Sequence, residues 1–426
     1  MTLPFSTPSA AATAALAGFL LLGAPAPAAL AGTEASSKDK VVKEEKKAES
    51  RYKFSVYLDT GLMVNPNDPN DHVNFGRVLD DKPNEPMFNQ LTLTFERPLV
   101  IEPGKFDWGF KAQAGVGSDG RYLPLVGTLE NVTNTLIQPY VIEAFGLLHF
   151  PIYKDTSLDI KGGQFVALLG AETLDPRTNF FYSHNYTFNF GIPYQHLGGL
   201  AIVHANPTLD IYAGVTRGAS TAFTDNNGRA AFTGGLGLNA LAGGKLTIFA
   251  STHIGPENPR TTFGAFSPNG GFVDRDDIRY YNTVVATYKP TDKLTLVTEG
   301  VYTYDEGFDA SFFGGTETVA FALNEKVTLA ARFEAVHDDR GFYVLQFGKN
   351  DDYGNILRGI GPLDSRTVGA GRNTYLDVTL GAQIKPIDHL TIRPEVRFDY
   401  ATENNAYDDS SKQYSITFGL DALIQF

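Results

Sequence analysis

The chain closes on Tyr414-Ser415-Ile416-Thr417-Phe418-Gly419-Leu420-Asp421-Ala422-Leu423-Ile424-Gln425-Phe426, and the reading of this stretch decides the fold. Every second residue from Tyr414 to Phe426 is apolar, with Ser415, Thr417, Gly419, Asp421, Leu423 and Gln425 between them. A β-strand turns successive side chains to opposite faces, so the segment has one apolar face and one mostly polar face, with Asp421 on the polar one. Such a strand needs neighbours built to the same rhythm.

Period-2 alternation recurs over 52–63, 88–98, 105–116, 137–149, 156–167, 196–205, 208–217, 230–241, 245–255, 279–288, 293–304, 315–324, 326–337, 373–384, 389–400 and 412–426. The runs are about ten residues long, enough for a tilted strand to cross a bilayer, and number about sixteen, even as single-chain bacterial barrels require. Connections alternate in length, the long ones covering 64–87, 117–136, 168–195, 218–229, 256–278, 305–314, 338–372 and 401–411. Outer-membrane barrels have short periplasmic turns and longer extracellular loops, so both chain ends are expected on the periplasmic side. The tight turns also repeat in sequence, as Lys289-Pro290-Thr291-Asp292-Lys293-Leu294-Thr295-Leu296 and Lys385-Pro386-Ile387-Asp388-His389-Leu390-Thr391-Ile392. Proline supplies the turn dihedral and cannot continue the preceding ladder.

Composition agrees. The chain holds 43 Gly, 31 Phe and 20 Tyr, and its only long apolar stretch, from about Ala10 to Ala31, is N-terminal. Residues 1–31 read as a secretory signal with a small-residue cleavage site at Ala29-Leu30-Ala31, although no Lys or Arg precedes its apolar part. Residues 32–50 read as a charged, solvated periplasmic linker, and 51–426 as the barrel. The absence of Cys excludes disulfides and thiolate-bound metals, and the net charge of −13 argues against nucleic acid as a partner.

If the apolar faces meet lipid, charges within strands must point to water, because Lys or Arg at mid-bilayer costs about 2–4 kcal/mol. In 326–337, Val327, Leu329, Ala331, Phe333 and Ala335 share one face, and Arg332 and Glu334 the other. In 389–400, Arg393, Glu395, Arg397 and Asp399 oppose Leu390, Ile392, Val396, Phe398 and Tyr400, with Pro394 on the outward face as the mark of a bulge. Lys111, Glu299 and Asp377 have the same inward parity, as do Asp59, Glu143, Asp210 and Asp421. Two roles are open to these residues: a transverse field at a constriction, or solvated ion-pair ladders between neighbouring strands. On the first role, reversing Arg393 and Arg397 to Glu shifts ion selectivity toward cations with the fold intact.

The stretch Leu168-Leu169-Gly170-Ala171-Glu172-Thr173-Leu174-Asp175-Pro176-Arg177 is too apolar for a solvated loop. In porins the third long loop folds inward and narrows the barrel, which makes Glu172, Asp175 and Arg177 the candidate constriction residues. Gly163-Gln164-Phe165, Gly170-Ala171-Glu172, Asn179, residues 183–193, His196-Leu197-Gly198-Gly199, Gly214-Val215-Thr216-Arg217-Gly218 and Asp225-Asn226-Asn227-Gly228 together resemble the OmpL-like group of outer-membrane β-barrel porins. The terminal Phe426 likewise resembles the signal read by the barrel assembly machinery. The resemblance covers about a quarter of the chain and implies a passive diffusion channel; it settles neither solute nor oligomeric state, so a homotrimer stays open.

Other chemistry is weighed less. His196 and His204 invite a hydrolase reading, but His149, His204 and His253 lie near strand ends, where interfacial placement accounts for them. Tyr280, Tyr281, Tyr288, Tyr302, Tyr304, Phe333, Phe398 and Tyr400 are read as interfacial girdles. Asp-rich loops lack the calcium-loop spacing. The expectation is an all-β transmembrane antiparallel barrel in the bacterial outer membrane, a porin for small hydrophilic solutes, with no catalytic group, metal or cofactor. Carbohydrate- or phosphate-selective porins and a plugged structural or adhesive barrel are the alternatives.

Overall fold

The computed structural model describes residues 51–130, 132–259, 275–359 and 364–426. The expected signal segment 1–31, the linker 32–50 and residues 260–274 of the long connection expected at 256–278 lie outside the described residues. The strands are β1 (Lys53–Val64), β2 (Pro86–Arg97), β3 (Asp107–Gly117), β4 (Gln138–Tyr153), β5 (Thr156–Val166), β6 (Gln195–Asn206), β7 (Leu209–Thr216), β8 (Ala231–Ala240), β9 (Leu246–Pro256), β10 (Ile278–Tyr288), β11 (Leu294–Asp305), β12 (Ala310–Asn324), β13 (Val327–Asp338), β14 (Leu345–Gln346), β15 (Val368–Gly369), β16 (Asn373–Ile387), β17 (Leu390–Ala401) and β18 (Tyr414–Gln425). β14 and β15 pair only with each other inside a long loop; the remaining strands form a closed antiparallel barrel of 16. Closure removes every sheet edge, as a bilayer requires of a β structure.

The seam lies between β1 and β18, where the Val56 N–H donates to the Phe426 carbonyl (2.9 Å) and the Phe426 N–H to the Val56 carbonyl (2.8 Å). Each expected run coincides with a barrel strand. The outer face is apolar as the alternation requires: Leu329 and Phe333 are 45–46% exposed, whereas Arg332 between them is fully buried. Sixteen strands enclose an interior wide enough for an aqueous channel.

Four readings need correction. The connection expected at 305–314 is short, because β12 begins at Ala310. Pro394 marks no bulge: the β17–β18 register runs unbroken through Pro394↔Leu420, and toward β16 the ladder omits the adjoining pairs and resumes in the same register at Ile384↔Ile392. Proline's missing N–H therefore costs a few rungs and no shift. His149 and His253 are 2% and 0% exposed on the inner face, bonded to Asp159 and Glu257, and His204 joins Asp159 and Asp210. Tyr281 also faces inward, into an apolar cluster with Phe188, Tyr194 and Phe347 that the loops build inside the barrel.

Candidate functional site

The connection from β5 to β6 crosses the barrel interior. Its hydrogen bonds to the wall fall on β10–β13, β16, β17 and β2, and among the described residues none reaches β3–β9. Local sequence shapes it. Asp175 accepts from the Arg177 N–H (3.0 Å) ahead of Pro176, a cap followed by proline at the first position of the helical turn Pro176–Thr178. The Asn185 side chain accepts from the Phe188 N–H (2.6 Å), opening the turn Thr187–Gly191, and the Glu334 carboxylate takes the N–H groups of Tyr186 (2.6 Å) and Thr187 (2.9 Å) at its start.

The wall residues hold the rest of the loop. Arg332 donates through Nη1 to Glu172 Oε1 (2.7 Å) and the Ser183 carbonyl (2.9 Å), and through Nη2 to Asp377 (3.0 Å). Arg393 donates through Nε to both Asp421 oxygens (3.0 Å) and through Nη1 to the carbonyls of Pro176 (2.7 Å) and Asn179 (3.0 Å). Arg397 Nε meets Asp399 Oδ1 (2.9 Å), and its Nη1 lies 3.2 Å from Asp377. Glu395 accepts the N–H of Tyr182 (2.9 Å) and Ser183 (3.2 Å), and Glu299 that of Ala171 (3.1 Å). The Tyr182 ring lies so close to β1 that a Cβ at Gly61 would sit 2.4 Å from it, so only glycine fits beneath.

Neighbouring loops complete the packing. Arg77, from the β1–β2 connection, bridges to Asp399 (2.8 Å), and Arg121 forks onto Asp81 (2.7 and 2.9 Å). Burial works to raise the loop carboxyl of Glu172, but Arg332 and His184 outweigh it and hold it at about 2. Asp119 shows the opposite balance, since burial lifts it to about 6 against hydrogen bonds from Gln90 and Asn89.

The wall residues expected to line the pore thus fall in two places. Arg332, Glu334, Arg393, Glu395, Arg397, Asp399, Glu299 and Asp377 are all at most 6% exposed, against or beside the loop. Lys111 stands apart on β3, its Nζ 2.6 Å from Glu143 and its side chain 26% exposed. Within the loop, Glu172 joins Arg332, while Asp175 and Arg177 pair with each other and Arg177 lies 4.5 Å over the Tyr57 ring. Sequence reasoning passed over Arg77 and Arg121, which lie in loops where parity has no meaning. It also passed over Lys161, which shares its inward face with Asp159 and was open to the same parity argument.

Comparison with known families matches residues 51–426 to the one described as "Putative beta-barrel porin-2, OmpL-like". The chain belongs to this family. No curated protein matches it by sequence. Among solved structures it is similar to the outer-membrane channel DcaP of Acinetobacter baumannii (14% identity, 88% of this chain and 97% of that one, TM-score 0.52). OprB of Pseudomonas putida (15%, 88% and 94%, 0.54) and an anion-selective porin from Comamonas acidovorans (9%, 88% and 99%, 0.55) are also similar. At these identities the likeness is one of fold. Family and barrel together make this chain an outer-membrane porin.

Proposed function

We propose that the porin passes small hydrophilic solutes by passive diffusion along the β3–β9 side of its interior. The observation that carries this reading is the one-sidedness of the loop's hydrogen bonds, which leaves Lys111, His204 and Asp210 partly exposed on the opposite wall. On this reading the protein is not an enzyme, and the buried Arg332, Arg393 and Arg397 fix the loop that narrows the passage. Residues 1–31 serve as the export signal, and Phe426 is the contact for the assembly machinery. One structure of OmpT, an outer membrane protein of Vibrio cholerae, is a trimer form, and a homotrimer is the assembly we propose for this chain. Reconstitution in planar bilayers tests the function: discrete conductance steps support diffusion. Their absence favours a plugged structural barrel, a reading that the apolar clusters built by loops inside the barrel would also suit.

A further inference from the structure

We propose that Lys161 selects the solute, and that the class it selects is the monocarboxylate with an apolar body; this rests on the channel reading above. Of the inward-facing basic side chains on the described strands, Lys111 pairs with Glu143, Arg279 with Asp305, Arg332 with Glu172 and Asp377, Arg393 with Asp421, and Arg397 with Asp377 and Asp399. Lys161 has no carboxylate within ion-pair distance and no hydrogen-bond acceptor. Lys53 and Lys385 share that state, but both are exposed at strand ends, whereas Lys161 lies within its strand and is only partly exposed. Its ammonium lies 4.5 Å from the Phe145 ring centroid and 5.8 Å from that of Phe165. It points inward, since Ile160 beside it is exposed to lipid and Asp159 two residues away is buried.

The surroundings restrict what can complete this charge. Register places Leu147 and Leu200 directly across from Lys161 on the flanking strands, and Ile202 and Tyr212 in the adjoining row. Two carboxylates are near. Glu143 is taken by Lys111, and Asp159 by His149 and His204. An ammonium on an apolar wall gains most from an incoming anion, because little water competes there. With both carboxylates bonded elsewhere, the Lys161 ammonium has no anion at contact distance, and one incoming carboxylate is enough to pair with it. The aliphatic and aromatic side chains around it then suit an alkyl or aryl body rather than further charge or hydroxyls.

The test uses the full chain in planar bilayers in KCl, with hexanoate, acetate and citrate added in turn. Hexanoate is expected to block the current at concentrations where acetate and citrate do not. Lys161→Gln should raise its half-blocking concentration by roughly 10-fold, equivalent to 1.4 kcal/mol, and Lys161→Arg should retain the block. Heat-modifiable migration on gels checks that each variant is folded. Conductance steps with a hexanoate block unchanged in K161Q overturn the role of Lys161. Equal block by acetate, or stronger block by citrate, overturns the solute class. Absence of steps in the wild-type protein overturns the channel reading itself, and this inference with it.

Discussion

The two halves of the barrel interior are built from one strand rhythm and carry different side chains. From β10 round to β2 the inner face presents long charged groups, Arg332, Glu334, Arg393, Glu395 and Arg397, whose hydrogen bonds go to the loop crossing the interior and to the wall carboxylates Asp377, Asp399 and Asp421. From β3 to β9 it presents Phe145, Leu147, Leu200, Ile202 and Tyr212, with Lys111, Lys161 and the carboxylates Glu143, Asp159 and Asp210 set among them. Parity decides only which side chains leave the lipid. Whether they then hold a loop or face a solute depends on their reach and on the backbone they meet. A guanidinium has five donors in a fixed fork and can serve strand carboxylates and loop carbonyls at once, which a lysine on an apolar wall does not do.

The strongest challenge to this division is charge reversal on the loop-bearing wall. The strand pattern alone makes Arg393→Glu with Arg397→Glu a selectivity experiment; burial makes it a folding experiment. Each new carboxylate would face Asp421, or Asp377 and Asp399, with no water to screen it. Uncompensated buried charge at two sites should destabilise the barrel by upwards of about 5 kcal/mol. The double variant is expected to lose heat-modifiable migration; recovery of a folded barrel with altered ion selectivity would return these arginines to the solute path.

Acid provides a milder test. Glu172 is held at about 2 against an ordinary 4.5, so its share in fixing the loop is complete above about pH 4.5 and is lost as pH falls toward 2. That share is about 3 kcal/mol by linkage. Single-channel conductance should become larger or noisier below about pH 4.5 than it is at pH 5. Glu172→Gln should show the noisy behaviour already at pH 7. A wild-type trace unchanged at pH 3 would mean that the loop stays in place without this carboxylate.

Much of this was legible beforehand, and the gaps have physical causes. Strand positions and faces follow from a local rule, so all the barrel strands, including the β12 that starts early at Ala310, were found by alternation. The third long loop declared itself by being too apolar for solvent. Its anchoring did not, because Arg332 and Glu172 are 160 residues apart and nothing in either segment records the width of the barrel between them. The inward placement of His149, His253 and Tyr281 was readable from parity, but their position near strand ends invited an interfacial reading, which the loop-filled interior makes unnecessary.

Glu395→Gln probes the loop contact without disturbing the strands. The amide can keep one acceptor for the Tyr182 and Ser183 N–H groups but loses the charge that strengthens both bonds. A loss of about 1–2 kcal/mol is expected, visible as a lower unfolding temperature together with more open-channel noise. A lower unfolding temperature with a quiet channel would show that this contact stabilises the barrel without positioning the loop.

The smallest effect on stability, and the clearest separation of the two walls, should come from Lys111→Gln. Its partner Glu143 is on the neighbouring strand, and the lysine side chain is 26% exposed, so the pair is partly solvated and its removal should cost about 1 kcal/mol or less. Glu143 would then lack its cation beside Lys161, and the local charge would fall by one on the side assigned to the solute. Reversal potentials in a KCl gradient should therefore move toward cations while the unfolding temperature stays nearly unchanged. If the variant instead behaves like a loop-wall substitution, with a large loss of stability and no change in selectivity, the division of the interior into a holding wall and a conducting wall is wrong.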